Sequence, residues 1–227
     1  MLSTLIAALV LAGGVLAPRA AAAGPYTLEK VSQAPPEEVP QAIRETLDLV
    51  ALRVNGAGGA LCEIWLRKAL PVAPSASHEL GVGYGQIAEG TLLGVVRIDT
   101  QTSDYRRQVL KPGIYTLRYA LHPVDGNHQG IAPMRDFVVL SSVALDSSPA
   151  GITREVVFAN SRKTRGGNHP SVWSLAAADE KPSAVPAIKY FDDADLWVVS
   201  FRIALTAPSG SSALDMALVI AGHAGEV

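Results

Sequence analysis

Apolar residues follow three successive patterns along this chain, and the changes between them divide it. From Leu2 to Leu16 nearly every position is apolar, including the stretch Leu5-Ile6-Ala7-Ala8-Leu9-Val10-Leu11. A run of about 15 residues has the length of a signal-peptide h-region and is short for a bilayer span. Pro18 breaks it, and Arg19-Ala20-Ala21-Ala22-Ala23-Gly24 offers A-x-A cleavage positions after Ala23 or Ala21. Residues 1–23 are therefore expected to be a signal peptide, with a retained membrane anchor as the alternative. Only the α-amino group supplies positive charge ahead of the run, and no Cys follows it closely enough to serve as a lipid-bearing cysteine.

Residues 24–47 form a Pro-rich segment with Pro25, Pro35, Pro36 and Pro40. A short strand is expected at Tyr26–Val31 and a short helix between Glu37 and Leu47. Pro36 suits the helix start, and Glu37 and Glu38 suit its positive end.

From residue 48 to 227 the period shifts toward two. Val50-Ala51-Leu52-Arg53-Val54 is followed by Asn55-Gly56-Ala57-Gly58-Gly59 and then by Leu61–Leu66, the pattern of a hairpin with a glycine-bearing loop. Pro71–Ser77 reads as loop. Gly81-Val82-Gly83-Tyr84-Gly85 is followed by Gln86 and by no helical pattern, so it fails the dinucleotide-binding fingerprint. Leu92–Ile98 is an apolar strand. The turn Lys111-Pro112-Gly113 opens onto Ile114–Leu121, where Tyr115, Leu117, Tyr119 and Leu121 share one face. Arg135–Leu140 is its expected partner across the polar loop His122–Gly130. Gly151–Lys163 permits a helix, and Ser171–Ala176 a short strand. Leu196–Leu205 alternates most strictly and is expected to be a central strand, with Trp197, Phe201 and Ile203 in the core. Leu214–Ile220 completes the set. Eight or more short strands with Gly/Pro turns predict a mainly β domain over 48–227, an antiparallel β-sandwich of jelly-roll or Ig-like type with one or two short peripheral helices.

Composition sharpens this picture in two ways. Apolar residues make up 48% of the chain, enough for a substantial core. Removing residues 1–23 takes away Arg19 and leaves 18 basic against 21 acidic residues, a balance of −3 that argues against nucleic acid or an anionic membrane as partner. The single cysteine, Cys62, excludes an internal disulfide, and its place within Ala60–Leu66 suits a small core hydrophobe better than a nucleophile. No second long apolar run exists, so the mature chain is expected to lack a transmembrane segment.

Between Leu110 and Leu140 stand Lys111-Pro112-Gly113-x-Tyr115-Thr116-Leu117, then Asp125-Gly126-Asn127-His128, then Arg135-Asp136-Phe137. This segment, about a seventh of the chain, resembles secreted bacterial β-sandwich domains of unknown function. The resemblance implies a sandwich and an envelope location, and it carries over no catalytic residue.

The candidate chemistry gathers in the same region. His122, Asp125 and His128 fall within one loop, and all three side chains can bind a divalent metal if the turn at Gly126 folds the loop back. His169, in the second Gly-Asn-His tripeptide, is a candidate fourth ligand, although the spacing matches no established zinc motif. The competing reading is turn chemistry with solvated histidines. For a non-metal ligand the candidates are Arg118, Asp125, Asn127, His128 and Arg135. Arg118 can pair with Asp136 in the interior or present its fork to a ligand carboxylate. Tyr84, Tyr105, Tyr115, Tyr119, Trp65, Trp173 and Trp197 serve either as core or as a sugar platform. No G-x-S-x-G occurs, and the adjacent acids Glu37-Glu38, Asp179-Glu180 and Asp192-Asp193 make no obvious acid/base pair.

These observations predict an exported protein, periplasmic or secreted, that binds a small ligand, a polymer or an envelope protein without catalysis. The alternative is a metal-binding protein or metal-dependent enzyme built on His122, Asp125 and His128. A chaperone or assembly factor would require an open sheet edge.

Overall fold

The structure is a computed structural model that describes residues 25–125, 132–178, 184–207 and 210–222. The expected signal peptide, Asn127, His128 and His223 lie outside the described residues. So does the acidic pair Asp179-Glu180.

The chain is mainly β. Strands β1 (Thr27–Ser32), β2 (Val50–Gly56), β3 (Gly59–Leu66) and β4 (Ala69–Pro71) come first, with a one-turn helix α1 (Gln41–Arg44) between β1 and β2. β5 (Leu92–Ile98), β6 (Thr102–Ser103), β7 (Val109–Leu110), β8 (Gly113–Leu121) and β9 (Asp136–Ser142) follow. Helix α2 (Arg154–Arg165) then leads to β10 (Ser171–Ala176), β11 (Ala187–Phe191), β12 (Leu196–Ala207) and β13 (Gly210–Ala221). Eleven of these strands form one curled sheet in the order β1-β2-β3-β5-β8-β9-β10-β13-β12-β11, with β4 added beside β12. The pairings are antiparallel except β4 with β12, which is parallel and departs from the antiparallel expectation.

Most strands fall where the alternation placed them. The β2–β3 hairpin closes through Gly56 and Gly59, and Gly59 adopts φ 107°, a conformation that side-chain-bearing residues avoid. β12 has neighbours on both sides, and Phe201 and Ile203 are buried. Trp197 is only partly buried. A register shift between Trp197 and Val198 moves it to the rim, where it meets Tyr26 at a ring-centroid distance of 5.3 Å and Tyr190 at 5.2 Å. Those ring contacts bring the β1 end of the sheet close to the β11–β12 end.

Curling explains why several strands read as unbroken apolar runs. Inside the curl one cluster joins Val54, Ile64, Leu117, Trp173, Phe201 and Leu218, drawn from both limbs of the sheet. Outside it, Phe137, Val139, Val172 and Val198 pack with Val157 of α2, while Trp65 and Val95 pack with Val39, Ile43 and Leu47 around α1. A strand buried on both faces has no polar side to alternate with.

Both helices are shorter than the sequence suggested. Pro40 lacks the N–H that a helix interior requires, and its carbonyl instead receives Ile43 and Arg44, so α1 begins only at Gln41. Leu47 already bridges to Arg67 in the sheet. α2 starts at Arg154, with Glu155 in its first turn and Arg162, Lys163 and Arg165 in its last, as the helix dipole favours. Gly166 ends it in the left-handed region at φ 72°. Ser161 fastens α2 to the sheet: its hydroxyl donates to the Leu140 carbonyl at 2.6 Å and accepts from the Ser171 N–H at 2.9 Å.

Candidate functional site

Arg118 has a different partner from the one the sequence suggested. It is 0% exposed, and all five of its guanidinium N–H groups are used. Nε and Nη2 grip Asp146 at 2.6 and 2.7 Å. Nη1 donates to the carbonyls of Gly90 at 2.7 Å and Ala150 at 2.8 Å, and Nη2 also donates to the Ser148 carbonyl. Asp146 is buried too and accepts from the Thr116 hydroxyl at 2.7 Å. Gly90 permits this closeness. Its φ is 80°, and a Cβ there would lie 1.7 Å from the Ile152 carbonyl oxygen. Arg118 therefore clamps the segment after β9 against β8 and has no N–H left for a ligand.

Asp136, the partner the sequence offers for Arg118, anchors a loop instead. It accepts from the Tyr119 hydroxyl at 2.6 Å and from the backbone N–H groups of Gly83 at 2.9 Å and Tyr84 at 3.0 Å. Burial and the adjoining Asp136 carboxylate hold the Tyr119 phenol well above its usual pKa. The Tyr84 hydroxyl crosses to the far limb, donating to Ala176 at 2.6 Å and accepting from Ala217 at 3.0 Å. The glycine-rich loop is thus bolted over the sheet. Tyr84, Tyr105, Tyr115, Tyr119, Trp65 and Trp173 are core residues.

The loop after β8 is held at its base. Arg135 donates from Nε to the His122 carbonyl at 2.9 Å and from Nη1 to Glu79 at 2.7 Å. The His122 ring stacks on Phe137 with centroids 4.3 Å apart. Asp125 is described and engaged. His169 is not brought to this loop. It precedes Ser171, which pairs with Leu140, whereas His122 follows Leu121, which pairs with Asp136 at the other end of β9. At about 3.3 Å per strand residue the two histidines are roughly 20 Å apart. Among the described residues no three His, Cys, Asp or Glu side chains converge as a metal site.

Cys62 is buried in the inner core, and burial pushes its thiol up to about 12. It is an inert hydrophobe at neutral pH.

A second region gathers uncompensated charge. Where the β1–β3 limb faces β11 and β12, a cleft of about 310 Å³ opens. Its floor is apolar, with Leu52, Leu66, Phe201 and Ile203. Its rim carries Lys30, Arg67, Lys68, Arg202 and Asp48. Lys30 stands there because Tyr26 and Leu28 face the core, and the period of two puts Lys30 on the same face at the end of the row. Arg67 and Lys68 stand there because the chain leaves β3 in one limb and joins β12 of the other through β4, turning at these two residues. Arg202 is paired bidentately with Asp215 at 2.7 and 2.8 Å. Among the described residues Lys30 has no partner, Lys68 donates to the Glu45 carbonyl at 2.9 Å, and Arg67 donates from Nη1 to the Pro149 carbonyl at 3.1 Å. Arg67 Nε is buried without a partner among the described residues. Burial and the nearby Arg118 charge lower the Arg67 pKa from its ordinary value. The Arg67 guanidinium lies beside Arg118, so with Arg202 and Asp215 cancelling the mouth of the cleft holds Lys30 and Lys68 against the single carboxylate of Asp48, a balance of +1 in a chain of net charge −2. A second groove of about 400 Å³ shares Arg67 and Lys68 and extends toward Thr46 and Thr206.

Sequence reasoning passed over all four basic residues of this cleft. Lys30 offered a signal, a charge in the third place of a core-facing row. Arg67 and Lys68 offered none, because only the crossing between limbs places them opposite Phe201.

The chain matches no protein-family model, no curated protein and no solved structure. No helix among the described residues is long and apolar enough to cross a membrane.

Proposed function

We propose that this chain is an exported binding protein, periplasmic or secreted, whose curled sheet serves as a sandwich-like frame for a small anionic ligand. The observation that carries this reading is the cleft between the limbs, where Lys30 and Lys68 lack carboxylate partners among the described residues above an apolar floor. Pockets for small ligands combine a mainly apolar lining with a few placed polar groups, and about 300 Å³ is the lower end of their size range. Uncompensated cations at such a mouth favour anions in affinity and in approach. Export rests on the apolar run at Leu2–Leu16 followed by Ala20–Ala23.

Two measurements test the two halves. N-terminal sequencing of protein recovered from the envelope or medium should begin at or near Gly24; an intact Met1 there defeats the export half. A thermal-shift screen of small carboxylates and phosphates against neutral sugars and organic cations should show stabilisation by anions only, weakening as salt rises. Absence of any anion-dependent shift defeats the binding half.

A further inference from the structure

The outer edge of β12 is covered by two different strands with a gap between them. β11 pairs with it as far as Ala187 opposite Ser200, and β4 takes over at Ala69 opposite Ala204. Residues 201–203 have no partner strand on that side, and they line the cleft. The direction of their backbone groups follows from the strand period. Thr206 turns its carbonyl toward β4, where it accepts the Val72 N–H at 3.2 Å. Counting back by twos, Ala204, Arg202 and Ser200 turn their N–H and C=O the same way. Ser200 and Ala204 meet β11 and β4, so Arg202 presents the unclaimed pair. The neighbouring segments leave it unclaimed among the described residues: the Lys68 N–H is committed to the Thr46 carbonyl at 2.9 Å, and no backbone hydrogen bond joins Arg202 to Val185, two places before Ala187 on that side.

We infer that this cleft holds the C-terminal end of a short extended peptide, its backbone pairing with Arg202 and its terminal carboxylate lying between Lys30 and Lys68. The inference rests on the reading of the cleft as an anion-binding site and specifies the ligand. Strand addition to an exposed sheet edge and capture of a terminal carboxylate are both recurrent modes of peptide recognition. The four steps from Ser200 to Ala204 span about 13 Å, which suits three or four extended residues. Alternate side chains of such a peptide would meet the floor of Leu52, Leu66, Phe201 and Ile203. The net charge of the rim complements a carboxylate, and the backbone pair of Arg202 distinguishes a peptide from an anion that lacks amides. A lysine turned inward on an edge strand also guards against strand pairing between molecules, which is the competing account of Lys30.

The experiment is equilibrium dialysis of the exported chain, read by mass spectrometry, against a randomised tripeptide pool with free C-termini, the same pool amidated, and octanoate. Retention of the free-acid pool should exceed that of the amidated pool by about tenfold or more, the worth of a charge-assisted contact. Octanoate should be retained about tenfold less than the best free-acid peptides, because it lacks the amide pair. Lys30→Gln with Lys68→Gln should lower peptide retention about tenfold while melting stays within a few degrees, since both side chains are exposed. Equal retention of acid and amide pools overturns the inference. Retention of octanoate with no peptide overturns it while leaving the anion-binding reading intact; retention of none of the three removes both. A Lys30→Gln variant that aggregates yet retains peptide unchanged makes Lys30 an edge guard and likewise overturns the assignment.

Discussion

Replacing Arg118 by Met removes one side chain and strands several others. Arg118 and Asp146 are 0% and 3% exposed, so neither partner has water to fall back on. In the variant, Asp146 keeps only the Thr116 hydroxyl, and the carbonyls of Gly90, Ser148 and Ala150 lose the donor they share. Breaking a buried pair by deleting one partner costs about 3–5 kcal/mol, because an uncompensated charge remains inside. A typical domain has about 5–15 kcal/mol in total, so the loss is a large share of it. For a chain of this size it lowers the melting temperature by roughly 6–20 °C. Urea denaturation followed by far-UV circular dichroism measures the change, with an unaltered m-value confirming that the midpoint shift reports stability. Arg118→Lys should fall between the wild type and Met, since it keeps the charge and loses the fork. Adding Asp146→Asn to Arg118→Met should cost much less than the sum of the two single changes, because the stranded charge is gone. A loss below about 1 kcal/mol for Arg118→Met would refute the reasoning and return Arg118 to the ligand candidates.

Phe201→Ala, at a site 3% exposed in the inner core, should cost about 3–5 kcal/mol, measured as a denaturant midpoint; an unchanged midpoint removes β12 from the core. Cys62 should resist iodoacetamide at pH 8 in the native protein and react fully in urea. Because its folded pKa is raised, its contribution to stability is complete below the ordinary thiol range and is lost as pH rises toward about 12. Unfolding midpoints between pH 8 and pH 10.5 should therefore fall less in Cys62→Ala than in the wild type. For the loop after β8, His122→Ala should lose about 0.5–1.5 kcal/mol through its stack on Phe137. If that loop also holds a divalent metal, elemental analysis of protein from its native compartment will find about one equivalent that disappears when His122 and His128 are both replaced by Ala.

The strands were legible and the curl was not, for one physical reason. Alternation reports which face of a strand is dry, and it placed β2, β3, β8, β10 and β12 to within a few residues. It carries no information about which strand lies beside which. β4 illustrates the limit: three residues, Ala69–Pro71, leave the hairpin limb and pair in parallel with β12 more than a hundred positions later. The partner of Arg118 was hidden similarly. Asp136 lies on the adjacent strand opposite Leu121 and bonds Tyr119, whereas Asp146 returns to Arg118 through a turn after β9 that no period describes. The histidine-bearing loop stood out because its residue types are chemically conspicuous, and conspicuous types are what a linear reading weighs.

Charge placement in the folded chain separates framework from candidate site. Glu63 is fully buried on the outer face, yet it sits in a three-strand rung with Arg53 at 2.6 Å and Arg97 at 2.8 Å, and Gln33 adds a hydrogen bond. Arg118 and Asp146 saturate one another and the carbonyls around them. Asp104 is buried with N–H groups of Arg106, Gln108 and Val172 on its oxygens. Each of these groups is matched because a buried unpaired charge is costly to fold around. Among the described residues Lys30 and Lys68 form no ion pair, and both line the cleft where β12 leaves a backbone edge uncovered. Isolated exposed lysines are ordinary. Two lysines without a carboxylate partner and an open strand edge around one apolar floor are different, because each lacks the complement that every buried charge above has found. An anionic, amide-bearing ligand supplies both complements at once.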